Sequence, residues 1–427
     1  MPSDAKKIFI VGIGGIGVSA LARILKGRGR EVTGSDVAAS EVTSDLVSAG
    51  IPVAIGHRAD NLPPECGLLI YSNAVPKDNP ERAEAARRGV KQQSYPEALG
   101  KLLNDYEKVI AVAGTNGKTT TTAMIGWILE QAGYDPTVLV GSKVLAWNSN
   151  ARIGGMKYFV LEADEYKRAF LNYHPDIAVI TNIAADHLDY YKDLDDVKSA
   201  FLDFARNIKK GGKLIEGWKI VSLREISRRE KNWKLRIPGR FNQENATCAA
   251  AVCRVLQVPE EKIAEALCSF AGTWRRFELV ARRFIGNREI SIISDYAHHP
   301  DGIRVTLQAV YEYYPGKKIL TVFQPHQHNR TKMLFKEFVE AFCTSKLNDF
   351  IISEIFDVAG REESQDQNVS SQDLVREIKQ CGKNVEYAAD LDEAEKIARA
   401  RLGDYDMIIF MGAGDIYTVA NKIANAS

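Results

Sequence analysis

Val112-Ala113-Gly114-Thr115-Asn116-Gly117-Lys118-Thr119-Thr120 is a glycine turn set between two apolar stretches. Val109-Ile110-Ala111-Val112 precedes it as a short strand, and Ala123-Met124-Ile125-Gly126-Trp127-Ile128-Leu129 follows with the apolar spacing of a buried helix. Strand, glycine turn and helix in that order make a phosphate-binding loop. Backbone N–H groups converge at the helix N-terminus, Lys118 reaches the β/γ-phosphates, and the Thr119 hydroxyl can ligate Mg²⁺. Val112 stands where the common spacing has its first glycine, so the loop is a short form. It predicts that the chain binds a nucleoside triphosphate.

Working outward, Tyr158-Phe159-Val160-Leu161-Glu162 and Ile177-Ala178-Val179-Ile180 read as apolar strands ending in polar residues. Alternating strands and helices predict a parallel sheet with its ligand at the carboxyl ends. Helices are expected over residues 242–256 and 260–270, and the charged stretch 209–236 as a shortened surface excursion. Upstream, Lys7-Ile8-Phe9-Ile10-Val11 runs into Gly12-Ile13-Gly14-Gly15-Ile16-Gly17, a Rossmann-type opening, with Asp36 ending a second strand about twenty residues beyond. A dinucleotide is the usual ligand of such a turn, but a uridine diphosphate would use the same helix N-terminus. Downstream, strands are expected at 290–293, 319–323, 350–352 and 407–411, with helices at 302–313, 332–343, 371–380 and 391–401.

These segments divide the chain into three α/β domains: a Rossmann-like domain over 1–106, a central phosphate-loop domain with a parallel sheet over 107–272, and a second Rossmann-like domain over 273–427. A length of 427 residues accommodates three domains of ~150 residues each. The formal net charge of +1 gives no reason to expect nucleic acid or an anionic membrane as partner. The six cysteines form no CxxC pair and no cluster with histidine, so reduced, mostly buried thiols of a cytoplasmic protein are expected. Lys6-Lys7 and the apolar run that follows imitate a secretory signal, but four glycines interrupt the run and its pattern continues into a second strand. No stretch reaches the ~18 apolar residues of a membrane span.

His187, His298, His299, His326 and His328 all sit in short polar clusters directly after expected strands, where doubly wound folds put ligands. Glu162 and His187 are candidate metal contacts beside the phosphate loop, and their oxygen and imidazole donors suit Mg²⁺ or Mn²⁺. Asp164, Glu165, Asp186 and Asp189 are ligands or helix caps on equal grounds.

Taken together, Gly114-Thr115-Asn116-Gly117-Lys118-Thr119-Thr120, Glu162-Ala163-Asp164-Glu165, Thr181-Asn182-Ile183 with Asp186-His187, Pro238-Gly239-Arg240-Phe241-Asn242 with Asn245-Ala246, Arg275-Arg276-Phe277-Glu278, and Asp295-Tyr296-Ala297-His298-His299-Pro300 resemble the Mur ligases in order and approximate spacing. The resemblance spans essentially the whole chain. The glycine opening, Ser72-Asn73-Ala74-Val75, and Gln324-Pro325-His326 with Asn329-Arg330-Thr331 are similar to members that add L-alanine to UDP-N-acetylmuramate.

The resemblance implies an ATP-dependent carbon–nitrogen ligase of peptidoglycan precursor synthesis. ATP would phosphorylate the lactyl carboxylate of the nucleotide sugar, and the amine of L-alanine would attack the acyl phosphate. It implies that Gly14, Gly15, Ile16, Gly17, Asp36, Ser72, Asn73 and Ala74 bind the uridine nucleotide sugar. Gly114 to Thr120, Asn242, Asn245 and Arg276 would bind ATP. Thr119, Glu162 and His187 would hold Mg²⁺ or Mn²⁺, and Arg276, His298, His299 and Arg330 would meet the amino acid. The catalytic set would be Lys118, Glu162, His187, His299 and Arg330. The partners implied are small molecules only, with a monomer or homodimer acting in the cytoplasm.

Asn116 departs from the histidine usual in alanine-adding members, and Gln327-His328 stands where an arginine and an aromatic are common. Glu165-Tyr166 is similar to members that attach a recycled tripeptide to the same nucleotide sugar, which is the alternative acceptor. Two other readings remain from the residues alone: an NAD(P)-dependent oxidoreductase, which would leave Lys118 idle, and a non-catalytic nucleotide-binding protein.

Overall fold

The computed structural model describes residues 5–184, 186–187, 190–222, 233–286, 288–357 and 368–425. Within them lie three sheets, each built mostly from parallel strands. The first has the order β3-β2-β1-β4-β5 and is parallel throughout, with β1 Lys7–Val11, β2 Glu31–Asp36, β3 Val53–Ile55, β4 Leu68–Tyr71 and β5 Gln92–Ser94. Its order reverses between β1 and β4, and the glycine turn leaves β1 at that point, where open α/β sheets form their ligand crevice. Gly12, at φ 74°, makes the left-handed bend that lets its own N–H and that of Ile13 reach Ser35 O at 2.8 and 3.0 Å.

The second sheet has the order β11-β10-β6-β9-β7-β8. Its strands are β6 Lys108–Ala113, β7 Thr137–Val144, β8 Ser149–Arg152, β9 Tyr158–Glu162, β10 Ile177–Ile180 and β11 Lys213–Glu216, with only β8 antiparallel to its neighbour. Central strands such as β6 and β10 are apolar on both faces because helices cover both. One continuous hydrophobic cluster joins the two sheets, from Ile8, Leu21 and Leu25 through Val109 and Phe159 to Phe204. Both sheets accordingly belong to one compact unit, residues 1–236 with 243–271.

The second unit comprises residues 237–242 and 272–427 and holds the third sheet, ordered β12-β13-β17-β14-β15-β16. Here β12 is Glu278–Ile285, β13 Arg288–Asp295, β14 Ile319–Phe323, β15 Asp349–Ser353, β16 Asn384–Ala388 and β17 Met407–Met411, antiparallel only between β12 and β13. Phe323, Phe338, Phe342 and Phe350 fill one side of this sheet, and Leu320, Val322, Ile408 and Val419 the other.

The mixed α/β class is as expected, and several elements differ from the sequence reading. The excursion at 209–236 contributes β11 and a helix, Gly217–Ser222, to the central sheet's edge; its residues 223–232 lie outside those described. The expected helix at 332–343 is two pieces, His328–Met333 and Phe335–Cys343, divided at Leu334, whose φ of −111° is not helical. The six thiols are not all reduced: Cys343 and Cys381 form a disulfide with Cα atoms 5.6 Å apart. Helices Phe335–Cys343 and Ser371–Gln380 pack together and bring these cysteines side by side, a proximity that a sequence separation of 38 conceals. Among the described residues no helix is long and apolar enough to cross a membrane.

Candidate active site

The residues expected to bind a uridine nucleotide share one edge of the first sheet. Gly14 to Gly17 open the helix Ile16–Gly27 after β1, Asp36 ends β2, and Ser72, Asn73 and Ala74 follow β4. The helix has Gly15 as N-cap with no side-chain cap, which keeps its first turn a backbone anion site. Asp36 accepts the Gly14 N–H at 2.7 Å and the Val37 N–H at 2.8 Å, so its carboxylate shapes the turn itself. A Cβ on Gly14 would lie 2.9 Å from Asp36 Oδ2, and one on Gly17 would lie 2.6 Å from the Tyr95 hydroxyl.

The phosphate loop joins β6 to the helix Lys118–Gln131. Gly114 and Gly117 have φ of 137° and 84°, conformations that side-chain-bearing residues rarely take. Asn182, after β10, braces the loop: its Oδ1 accepts the Asn116 N–H at 3.0 Å, its Nδ2 donates to Asn116 O at 2.9 Å, and its O accepts the Thr115 N–H at 3.0 Å. Thr181 Oγ1 adds a bond to Asn116 O at 2.5 Å. Asn245 sits against the same loop, with Oδ1 3.3 Å from Thr121 Oγ1 and 2.3 Å from where a Cβ on Gly117 would stand. Asn242 and Arg276 belong to the second unit.

Lys118 Nζ donates to Gly114 O at 2.5 Å and pairs with Glu165 at 2.8 Å. Burial alone would lower the lysine pKa, but the carboxylates of Glu165, Asp164 and Glu162 outweigh it and raise the pKa. Burial dominates at Glu165 and pushes its pKa up despite Lys118. Thr119 Oγ1 donates to Glu162 Oε1 at 3.0 Å, and Gly141 N donates to Glu162 Oε2 at 2.7 Å. His187, at φ 53°, gathers instead with Asp164 and Glu165, one donor atom of each lying within 4.8 Å of the others. Its ring also lies 4.8 Å from that of Tyr166. Thr119 with Glu162 is therefore one oxygen pair and His187 with its acids another; Asp189 lies outside the described residues.

In the second unit, Arg275, His298, His326 and Arg330 lie near the carboxyl ends of β13, β14 and β17. His298 Nδ1 is 3.0 Å from Tyr296 O, an acceptor only, so Nδ1 carries the proton and Nε2 is bare. Burial, then the charge of Arg330, holds the His298 pKa down at about 3. Arg330 Nη1 donates to His326 Nδ1 at 3.2 Å, and the His298 and His326 rings are 5.7 Å apart. His298 is thus neutral, and Arg330 supplies positive charge beside it. His299 caps the helix Pro300–Tyr313, and Arg276 lies 4.8 Å over the Tyr296 ring.

Three family models match this chain in succession: the Mur ligase catalytic domain over residues 7–107, the Mur ligase middle domain over 112–218, and the Mur ligase glutamate ligase domain over 275–414. UDP-N-acetylmuramate–L-alanine ligase of Acetivibrio thermocellus is 36% identical over 459 residues, covering 98% of this chain and 95% of that protein. The chain belongs to the Mur ligase family.

The enzyme of the same name from Syntrophotalea carbinolica is 37% identical, with 99% and 98% of the two chains covered. Among solved structures, UDP-N-acetylmuramate–alanine ligase of Thermotoga maritima superposes with a TM-score of 0.80 at 29% identity, over 97% of both chains. A murein peptide ligase from Psychrobacter arcticus shares the fold, with a TM-score of 0.67 at 23% identity over 99% of both chains.

Four positions in this Mur ligase take roles that the sequence did not single out. Glu165 is the carboxylate on Lys118, but four acids in its neighbourhood look alike in sequence. Gly141 holds Glu162 through an N–H, which leaves no side-chain signal. Asn182 braces the phosphate loop from the end of another strand. Arg275, 4% exposed, donates to Gly412 O and lies 4.6 Å from the centre of the Tyr417 ring; only its neighbour Arg276 drew a role from motif position.

Proposed function

We propose that this chain joins L-alanine to the lactyl carboxylate of UDP-N-acetylmuramate, with ATP converted to ADP and phosphate. The observation that carries this is the match, over nearly the full length of both chains, to relatives named for that reaction. The division of labour follows the sheets: residues 1–106 for the nucleotide sugar, 107–272 for ATP and 273–427 for the amino acid.

A carboxylate cannot acylate an amine at neutral pH without a better leaving group, and phosphorylation supplies one. Phosphoryl transfer is mostly positioning and charge compensation. Lys118, already charged and held at the loop, turns from Glu165 to the transferring phosphoryl oxygens. Thr119 Oγ1 and Glu162 Oε1, 3.0 Å apart, are the hard oxygen donors that suit Mg²⁺ or Mn²⁺, and His187 with Asp164 and Glu165 offers a second set. A divalent ion bound there supplies charge neutralisation on the phosphates. Arg330 and Arg276 offer forked donors to a carboxylate or acyl phosphate, which lysine could not match. His298, being neutral, adds a hydrogen bond without positive charge. His299, which caps the helix Pro300–Tyr313, would meet the incoming amino acid. The substrates place the enzyme in the cytoplasm, acting as a monomer or homodimer.

Phosphate release with ATP, Mg²⁺ and UDP-N-acetylmuramate tests this reading, comparing L-alanine, glycine, L-serine and the L-Ala-γ-D-Glu-containing tripeptide as acceptors. Turnover highest with L-alanine is expected. Preference for the tripeptide would reassign the chain to peptide recycling, and no turnover with any acceptor would overturn the ligase reading.

A further inference from the structure

The β7–β8 hairpin connects to both nucleotide-binding turns of the first unit, to one through Glu162 and to the other through the helix that follows it. On the phosphate-loop side, Gly141 of β7 donates its N–H to Glu162 at 2.7 Å, and Glu162 in turn accepts from Thr119 at 3.0 Å. On the other side, Asn150 of β8 reaches the helix that follows the first glycine turn. Its Nδ2 donates to Ile16 O at 2.7 Å and to Ser19 Oγ at 3.0 Å, and Ser19 Oγ donates to Ile16 O at 2.8 Å. Asn150 is 8% exposed and Ser19 fully buried, so these bonds lie largely away from water.

The opposite end of the same helix, about 18 Å away by helical rise, is gripped by the same hairpin. Arg28 donates to Thr137 Oγ1, the first residue of β7, at 3.0 Å, and to Gly154 O and Gly155 O just beyond β8, each at 3.0 Å. Ile153 packs so closely that a Cβ on Gly27 would stand 2.5 Å from it. A helix held at both ends by one hairpin cannot slide or tilt without breaking these hydrogen bonds.

We propose that Asn150 is a positioning residue: through Ile16 and Ser19 it fixes the pyrophosphate-binding helix at a set distance from Glu162 and the phosphate loop, so that the sugar's carboxylate arrives where the γ-phosphate is held. The inference rests on the assignment of the uridine nucleotide sugar to the first sheet. It differs from a merely structural role because Asn150 lies between the two sites and touches neither ligand-binding turn's own N–H groups.

Two measurements on the full chain test it. In nucleotide-free protein, Asn150→Ala should speed hydrogen exchange in residues 16–27 at least tenfold and leave residues 118–131 unchanged. In turnover with ATP and UDP-N-acetylmuramate, kcat should fall at least tenfold with KM for ATP changed less than twofold. Arg28→Ala, which removes the Nη2 donor to Thr137, Gly154 and Gly155, should act in the same direction and serves if Asn150→Ala fails to fold. Unchanged exchange in 16–27 overturns the proposal whether or not the wild-type chain turns over. Faster exchange in both helices alike, or a loosened first helix with wild-type kcat, overturns it as well. A wild-type chain inactive with every acceptor sinks the ligase reading alone, because the exchange arm still decides the role of Asn150.

Discussion

Lys118 shows how far a single residue can be read. Its place after Gly117 and before two threonines marks it as the phosphate-loop cation from sequence alone, since the loop needs a charge at the helix N-terminus. Its partner Glu165, fully buried beside it, is set by how β9 and the following turn fold back. Lys118→Ala should lower ATP turnover by at least ~10²-fold, the scale of removing one preorganised charge-stabilising donor, while calorimetric binding of the uridine nucleotide sugar stays near wild type. Loss of that binding in a folded variant would contradict the assignment of the first sheet. His298 makes the opposite point, because its motif position marks only a ligand group and its burial is what keeps it neutral. With a folded pKa of about 3 against an ordinary 6.5, the unfolded chain binds the extra proton between those values. Stability from this residue is therefore present above pH 6.5 and lost as pH falls toward 3. Denaturant midpoints of wild type and His298→Asn, compared from pH 7 to 4, should converge as the pH drops; curves that stay parallel would show that His298 is not buried neutral.

At the scale of elements, the legible strands were chiefly continuous apolar runs, β1, β6, β9, β10, β14, β15 and β17, whose length and punctuation single them out, together with β2 and β13. The β7–β8 hairpin was not, because Thr137–Val144 carries Gly141, Ser142 and Lys143 in its second half and Ser149–Arg152 is polar. Both of its strands pack against the helix of the first sheet, a contact between distant segments that its own sequence does not announce. The same limit applies to β12, whose arginines belong to an edge strand with one exposed face. The disulfide between Cys343 and Cys381 is likewise a product of helix packing. In the chain-entropy account, closing a loop of 38 residues contributes up to about 4 kcal/mol. Reductant or Cys343→Ser should lower the stability of the second unit by up to that amount, read as a shift in denaturant midpoint; a midpoint indifferent to reductant would show the bond does not form in solution.

For the whole molecule, the division into two compact units predicts selective stabilisation. Uridine nucleotide sugar at one hundred times its Kd should add about 2.7 kcal/mol to the unfolding free energy of the first unit and leave the second unit's transition in place, measured by scanning calorimetry. A single transition moving as one would show that the units unfold together. By itself the sequence determined the α/β class, the phosphate loop and the residue types of the site, because glycine turns, buried apolar strands and a lysine at a helix start are local signals with local physical causes. Which carboxylate meets Lys118, that His298 is neutral, that one hairpin lies against the helix of the first sheet, and that two distant cysteines pair were decided only by tertiary structure. Those outcomes depend on burial and on contacts between segments far apart in the chain, and neither is encoded at any one position.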